Sequence, residues 1–239
     1  MAGHSKFKNI QHRKGAQDQK RAKIFTRLVR EIVTAAKSGQ QDPEFNPRLR
    51  SAIITAKSMN LPKERIDRAI LSASSGEDNT NYTEIRYEGY APSGIAIIVE
   101  ALTDNKNRTA SEVRAAFNKH GGNLGETGCV SFMFDHVGII NYESLELNDA
   151  DLIEAAIELG AEDATVNEYG VSFYTTIEDF SAIVPISIEK FGPPDDACIG
   201  WRPKSPQSID DEEKFAKIQR LIDSLEESED VQKVFANFT

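Results

Sequence analysis

The stretch 19–39, QKRAKIFTRLVREIVTAAKSG, decides how the chain begins to fold. Phe25, Leu28, Val29, Ile32, Val33 and Ala36 recur at i, i+3, i+4 and i+7, whereas Lys20, Lys23, Arg27, Arg30 and Lys37 fall on the opposite side of a 3.6-residue helix. One face packs and the other is a cationic stripe. Gly39 ends this helix. Asn46-Pro47 then signals a second, with Leu49, Ala52, Ile53, Ala56 and Met59 inward and Asn60 closing it; Pro62 opens a third that carries Ile66, Ala69, Ile70 and Ala73. Residues 19–75 therefore read as a small three-helix bundle.

Upstream, charge dominates. Gly3–Arg30 sets nine lysines and arginines against a single acid, Asp18, in a chain of net charge −10. Residues 1–18 have almost no apolar periodicity, only Phe7 and Ile10, and are expected to form an arm that orders on binding. The whole chain is polarised in the same sense: residues 1–70 carry 16 Lys+Arg and 6 Asp+Glu, residues 71–141 carry 5 and 9, and residues 142–239 carry 7 and 23. A polyanion is drawn to one end and repelled from the other, so the cationic end reads as a docking surface for nucleic acid. Its candidate residues are Lys6, Lys8, Arg13, Lys14, Lys20, Arg21, Lys23 and Arg27 for phosphates, with Phe7 to stack on a base and Asn9 and His12 to donate and accept. The competing reading is a solubilising tail beside a solvated acidic surface. No helix-turn-helix register or aromatic RNA-binding strand is legible, so base-specific readout is not expected from these residues.

Downstream, the composition turns strand-like. After a polar linker at Ser74–Asn79, Glu84–Tyr90 and Ile95–Leu102 read as a hairpin about Ala91-Pro92-Ser93-Gly94. Thr109-x-x-Glu112 reads as a capping box for a helix ending at His120-Gly121-Gly122, and Val130–Phe134 and Val137–Asn141 as short strands. Residues 141–206 read as a further α/β unit. Asn148 caps its first helix, Thr165–Thr175 is strand-like with an interruption at Gly170, Thr175-x-x-Glu178 caps a second helix that Pro185 should kink, and Cys198–Arg202 is a strand. Asp210–Glu213 then start a helix with Phe215, Ile218, Leu221, Ile222 and Leu225 inward, and Val231–Phe235 ends as a strand that needs a sheet.

The economical solution gives that last helix and strand to the sheet begun at Glu84. The expected fold is α+β: a basic arm and three-helix bundle (1–78), then two ferredoxin-like α/β domains, one of residues 79–136 plus 206–239 and an acidic one of residues 137–205 inserted in it.

Several classes are disfavoured. No apolar run reaches the roughly 18 residues of a membrane span, and the start lacks the apolar region of a secretory signal. Two isolated cysteines, Cys129 and Cys198, fit a reducing cytoplasm rather than a disulfide framework. No catalytic constellation, cofactor motif or metal cluster is expected: Gly121-Gly122-Asn123-Leu124-Gly125 lacks the ending of a P-loop, and His120 and His136 have no evident co-ligands. A second, weaker phosphate site is Lys106 and Arg108 at the start of the Thr109 helix, with the nearby glycines open to a backbone. Capping and helix exit explain the same residues without a ligand.

The N-terminal AGHSKFKNIQHRKGAQDQKRAKIFTRLVREI and the central RYEGYAPSGIAIIVEALTDNKNRTASEVRAAFNKHGGNLGETGCVSFMF closely resemble the YebC family, and the similarity runs on to DVQKVFANF at the end. The resemblance implies a three-domain α/β protein, a DNA-binding transcriptional regulator by the usual bacterial description. Related members, a mitochondrial translational activator of cytochrome oxidase among them, are linked to the ribosome, so ribosomal or transfer RNA is the alternative target. Phe7 stands where the family usually has Trp, which keeps a stacking face and loses the indole donor. Expected partners are nucleic acid and, at the acidic domain, a protein; the expected state is a monomer or weak dimer.

Overall fold

Asn46 joins the first two helices through one buried amide. Its nitrogen donates to the carbonyls of Ala35 (2.8 Å) and Gln40 (2.7 Å), and its oxygen accepts from the Leu49 N–H (3.0 Å), so it fixes the loop and caps the next helix together. Gly39 leaves room for it, because a Cβ there would lie 2.8 Å from that nitrogen. The computed structural model describes residues 22–75, 82–143, 145–167 and 170–238. α1 (22–38), α2 (Pro47–Ser58) and α3 (Lys63–Ser75) enclose Ile32, Val33, Leu49, Ala56, Leu61 and Ile66. Full burial of Ile32 and Leu49 contributes about 2 kcal/mol each, more than any one polar contact of the bundle.

The remaining elements are β1 (Thr83–Tyr90), β2 (Ala96–Thr103), α4 (Lys106–Lys119), β3 (Asn123–Leu124), β4 (Phe134–Tyr142), α5 (Asp149–Leu159), β5 (Asp163–Asn167), β6 (Gly170–Thr175), α6 (Ile177–Phe191), β7 (Asp196–Pro203), α7 (Glu212–Glu226) and β8 (Val231–Ala236). They build two four-stranded antiparallel sheets, ordered β3-β1-β2-β8 and β5-β6-β4-β7. The β1–β2 hairpin pairs from Thr83↔Thr103 to Tyr90↔Ala96, and β8 lies against β2 from Ile97↔Ala236 to Ala101↔Val231. The end of the chain thus closes the sheet that Thr83 began.

Each sheet has two helices on one face. α4 and α7 bury Val113, Phe117, Ile218 and Leu221 against Ile97 and Val99, while α5 and α6 bury Leu152, Phe180 and Val184 against Ile140 and Phe173. The second sheet has the βαββαβ order of a ferredoxin-like unit; the first places its hairpin at the centre and β3 and β8 at the edges. The units meet across Ile98, Val130 and Phe134, with Trp201 and Phe235 packed on them. Gly200 makes that approach feasible, since a Cβ there would stand 2.6 Å from the Phe235 ring.

Some local expectations change and others become more definite. The helix expected at Thr109 starts a turn earlier, capped by Asn105, whose side chain accepts from the Arg108 N–H (3.1 Å); Thr109 is wholly buried and bonds elsewhere. The cap expected at Thr175 falls to Thr176, which accepts from the Asp179 N–H (2.9 Å), because Thr175 is a buried strand residue. Of the strand expected at Val130–Phe134 only Phe134 is in a strand, as the start of β4: the Val130 and Ser131 N–H groups donate to the Glu88 carboxylate (2.9 Å each), and Ser131–Met133 is a short 3-10 turn. The strand-like stretch expected at Thr165–Thr175, interrupted at Gly170, is the hairpin β5–β6, paired from Asp163↔Tyr174 to Asn167↔Gly170. Pro185, where a kink is expected, lies inside α6 on its exposed side, and the helix assignment continues on both sides of it.

Candidate nucleic-acid interface

α1 turns its apolar side into the bundle, and this leaves its lysines and arginines outside. Lys23, Arg27 and Arg30, spaced i, i+4 and i+7, all reach the connection between α7 and β8. Lys23 Nζ donates to the Glu227 carbonyl (3.3 Å), Arg27 to the carbonyls of Glu226 (2.6 Å) and Gln232 (3.5 Å), and Arg30 to the Glu229 carbonyl (2.8 Å) and the Asp230 carboxylate (3.3 Å). Arg30 also lies over the Tyr82 ring, 5.3 Å from its centroid. Burial lowers the Arg27 guanidinium from its ordinary value, an effect that Glu226 partly offsets.

α4 approaches the same connection from the other side. Asp230, 4% exposed, accepts from Arg108 (2.7 Å), Thr109 Oγ1 (2.8 Å) and Thr103 Oγ1 (3.0 Å). Burial by itself would raise the Asp230 carboxyl, but the bonds from Arg108, Thr109 and Thr103 and the charge of Arg108 outweigh it and hold the group below the usual carboxylate range. Arg108 is raised in turn by its bonds to Asp230 and Asp104. Lys106 sits exposed on the first turn of α4. An open cleft of about 720 Å³ runs between α1, α4 and the end of α7, with Arg30, Arg108 and Lys119 on its wall beside Asp104, Glu112 and Asp230.

Of the residues read from the sequence as phosphate or base contacts, Lys6, Phe7, Lys8, Asn9, His12, Arg13, Lys14, Lys20 and Arg21 lie outside the described residues. Lys23 and Arg27 share one face of α1, and Lys106 and Arg108 share one turn of α4. The two groups, separate in sequence, converge on the α7–β8 connection through Arg30 and Arg108. Asp230 and its neighbours Glu226, Glu227 and Glu229 were not singled out by the sequence reading. Their one local signal is an acidic run opposite in sign to α1, and pairing across about 200 residues has no sequence period.

Of the three glycines expected to admit a backbone, Gly122 and Gly125 have packing roles, and Gly121 takes a left-handed φ of 78° after α4. A Cβ on Gly122 would meet the Tyr90 carbonyl at 2.7 Å, and one on Gly125 would meet Cys129 Sγ at 2.5 Å. His136 stacks on Trp201 with ring centroids 4.4 Å apart, while His120 caps α4. Among the described residues no group of three or more His, Cys, Asp or Glu side chains is placed to hold a metal, and no helix is long and apolar enough to cross a membrane.

The arrangement defines an α+β protein in which a cationic helical bundle rests on two α/β units of opposite charge. Residues 5–76 match the family description TACO1/YebC protein N-terminal domain, and residues 82–238 match TACO1/YebC second and third domain. The chain belongs to the TACO1/YebC family. It is 62% identical over 239 residues to a protein of Rickettsia bellii (strain OSU 85-389) named probable transcriptional regulatory protein, covering all of this chain and 93% of that one. A Rickettsia rickettsii protein (strain Sheila Smith) of the same name is 59% identical over 239 residues, covering all of this chain and 94% of that protein. Among solved structures, a conserved hypothetical protein of Aquifex aeolicus superposes with a TM-score of 0.82 at 47% identity, over 93% of this chain and 91% of that one.

Proposed function

We propose that the chain is a nucleic-acid-binding regulatory protein, a DNA-binding transcriptional regulator that grips the phosphate backbone through its basic N-terminal segment and α1. One observation carries this reading: the apolar side of α1 is taken up by the bundle core, so its cations form a surface continuous in sequence with Lys6–Arg21. The names of the Rickettsia relatives support the regulatory label. Arginines on such a surface hold phosphates bidentately and lysines act as point charges, which gives affinity and little sequence discrimination. Lys106, exposed on the first turn of α4, extends it as a secondary contact beside Arg108, whose guanidinium is held by Asp104 and Asp230.

Crosslinking in cells, with sequencing of both bound DNA and bound RNA, tests the label. Discrete promoters are the expected product. Ribosomal or transfer RNA alone would overturn the promoter reading in favour of a ribosome-associated translation factor, for which the same cations would serve. Charge reversal at Arg13, Lys14, Lys20 and Arg21 should abolish binding while the thermal transition stays within about 2 °C, as for surface substitutions.

A further inference from the structure

Lys23 and Arg27 already bond main-chain carbonyls of an acidic turn of the same chain, and Arg30 meets its Glu229 and Asp230 carboxylates. Glu226, Glu227, Glu229 and Asp230 place four acids within five residues at the C-terminal end of α7, where the helix also leaves carbonyls without amide donors. The last turn of α7 has no basic residue of its own, and Lys23, Arg27 and Arg30 supply the cations that the negative end of the helix lacks. Carbonyl and carboxylate oxygens in a row resemble, to a lysine or arginine, the oxygens of a phosphate backbone. We propose that the α7–β8 turn is a built-in competitor for the α1 stripe, which docks there in the free protein and is released when a nucleic-acid backbone binds.

Two features make the contact displaceable. The side chains of Lys23, Glu226, Glu227 and Glu229 are exposed while Arg27 and Arg30 are half-buried, so the outer contacts weaken with salt and the two arginines hold more firmly. A polyanion engages several cations at once and gains from released counterions, so it outcompetes a few screened contacts. The junction behind the stripe is also incompletely filled: a cavity of about 1070 Å³ opens between α1, α2 and both α/β units. On its far side α2 is fastened to the second sheet and its helices, with Thr55 Oγ1 donating to the Ala197 carbonyl (2.8 Å) and Ile54 packed on that core.

This device rests on the nucleic-acid reading above, and the test separates the two. Full-length protein is treated with a carbodiimide, which joins a lysine amine to an adjacent carboxylate as an amide with loss of water, alone and with a saturating 20-base-pair DNA duplex or an RNA hairpin. The expected result is a Lys23 crosslink to the 226–230 run in the free protein that falls at least fivefold on binding. Alongside it, E226Q/E227Q/E229Q should bind about five- to tenfold more tightly than the wild type, and the control E143Q/E146Q/E154Q, with the same change of charge, less than twofold. An undiminished crosslink at saturation, or equal gains in both variants, would overturn the competitor while leaving nucleic-acid binding intact. Absence of binding by either probe would overturn the functional reading and the competitor with it.

Discussion

From β2 and α4, Thr103, Thr109 and Arg108 converge on the buried Asp230 carboxylate; from α1, Lys23 and Arg27 meet main-chain carbonyls of the same turn among exposed acids. Arg30 touches both sets, donating to the Glu229 carbonyl and to Asp230. The difference lies in solvent. Inside, a desolvated carboxylate must keep its partners, because removing any of them leaves a costly unmet group. Outside, the exposed Lys23 is screened and exchanges partners cheaply, while Arg27 is half-buried between the two sides. The turn is therefore part of the fold on its α4 side, and the proposed competition acts on its α1 side.

Breaking the inner side should have the largest effect. Asp230→Ala strands two buried hydroxyls and an arginine, and is expected to cost about 3 kcal/mol in urea unfolding; a loss under about 1 kcal/mol, within the range of surface changes, would erase the distinction. The acid limb reports on the same group. Its folded value is lowered, so its stabilisation is complete above the unfolded carboxyl range near pH 4 and is lost as pH falls through the folded value. The stability of Asp230→Asn should accordingly change less between pH 5 and pH 2 than that of the wild type.

Next comes Thr109→Val, which keeps shape and removes one donor to Asp230, at an expected cost of about 1.5 kcal/mol. On the α1 side, Arg27→Gln takes a half-buried guanidinium away from two carbonyls and should cost about 1.5 kcal/mol in the same unfolding measurement. Lys23→Gln should be within about 0.3 kcal/mol of wild type in stability yet weaken nucleic-acid binding. A destabilisation by Lys23→Gln equal to that of Asp230→Ala would show that the two sides form one structural joint.

Much of the fold was legible because it rests on local signals. The helical period of Phe25–Ala36, the Asn46-Pro47 cap and the Ala91–Gly94 turn each act within a few residues, and each appears where read. Two caps were displaced because Thr109 and Thr175 carry cap-type side chains that tertiary burial uses elsewhere. Val130 and Ser131 look like strand residues, but their N–H groups answer a glutamate 42 and 43 positions away, which no local pattern encodes. The cationic surface was legible as composition. That its helical part would face the acids of 226–230 was not, because the attraction depends on how the bundle is set upon α7 and β8.

The salt dependence of nucleic-acid binding tests the central claim most directly. With about five phosphates neutralised on duplex DNA, log K plotted against log salt should fall with a slope near −4.5, and it should flatten markedly when Arg13, Lys14, Lys20 and Arg21 are reversed. A slope near zero in the wild type, or a slope that survives the reversal unchanged, would contradict a function carried by the N-terminal cations.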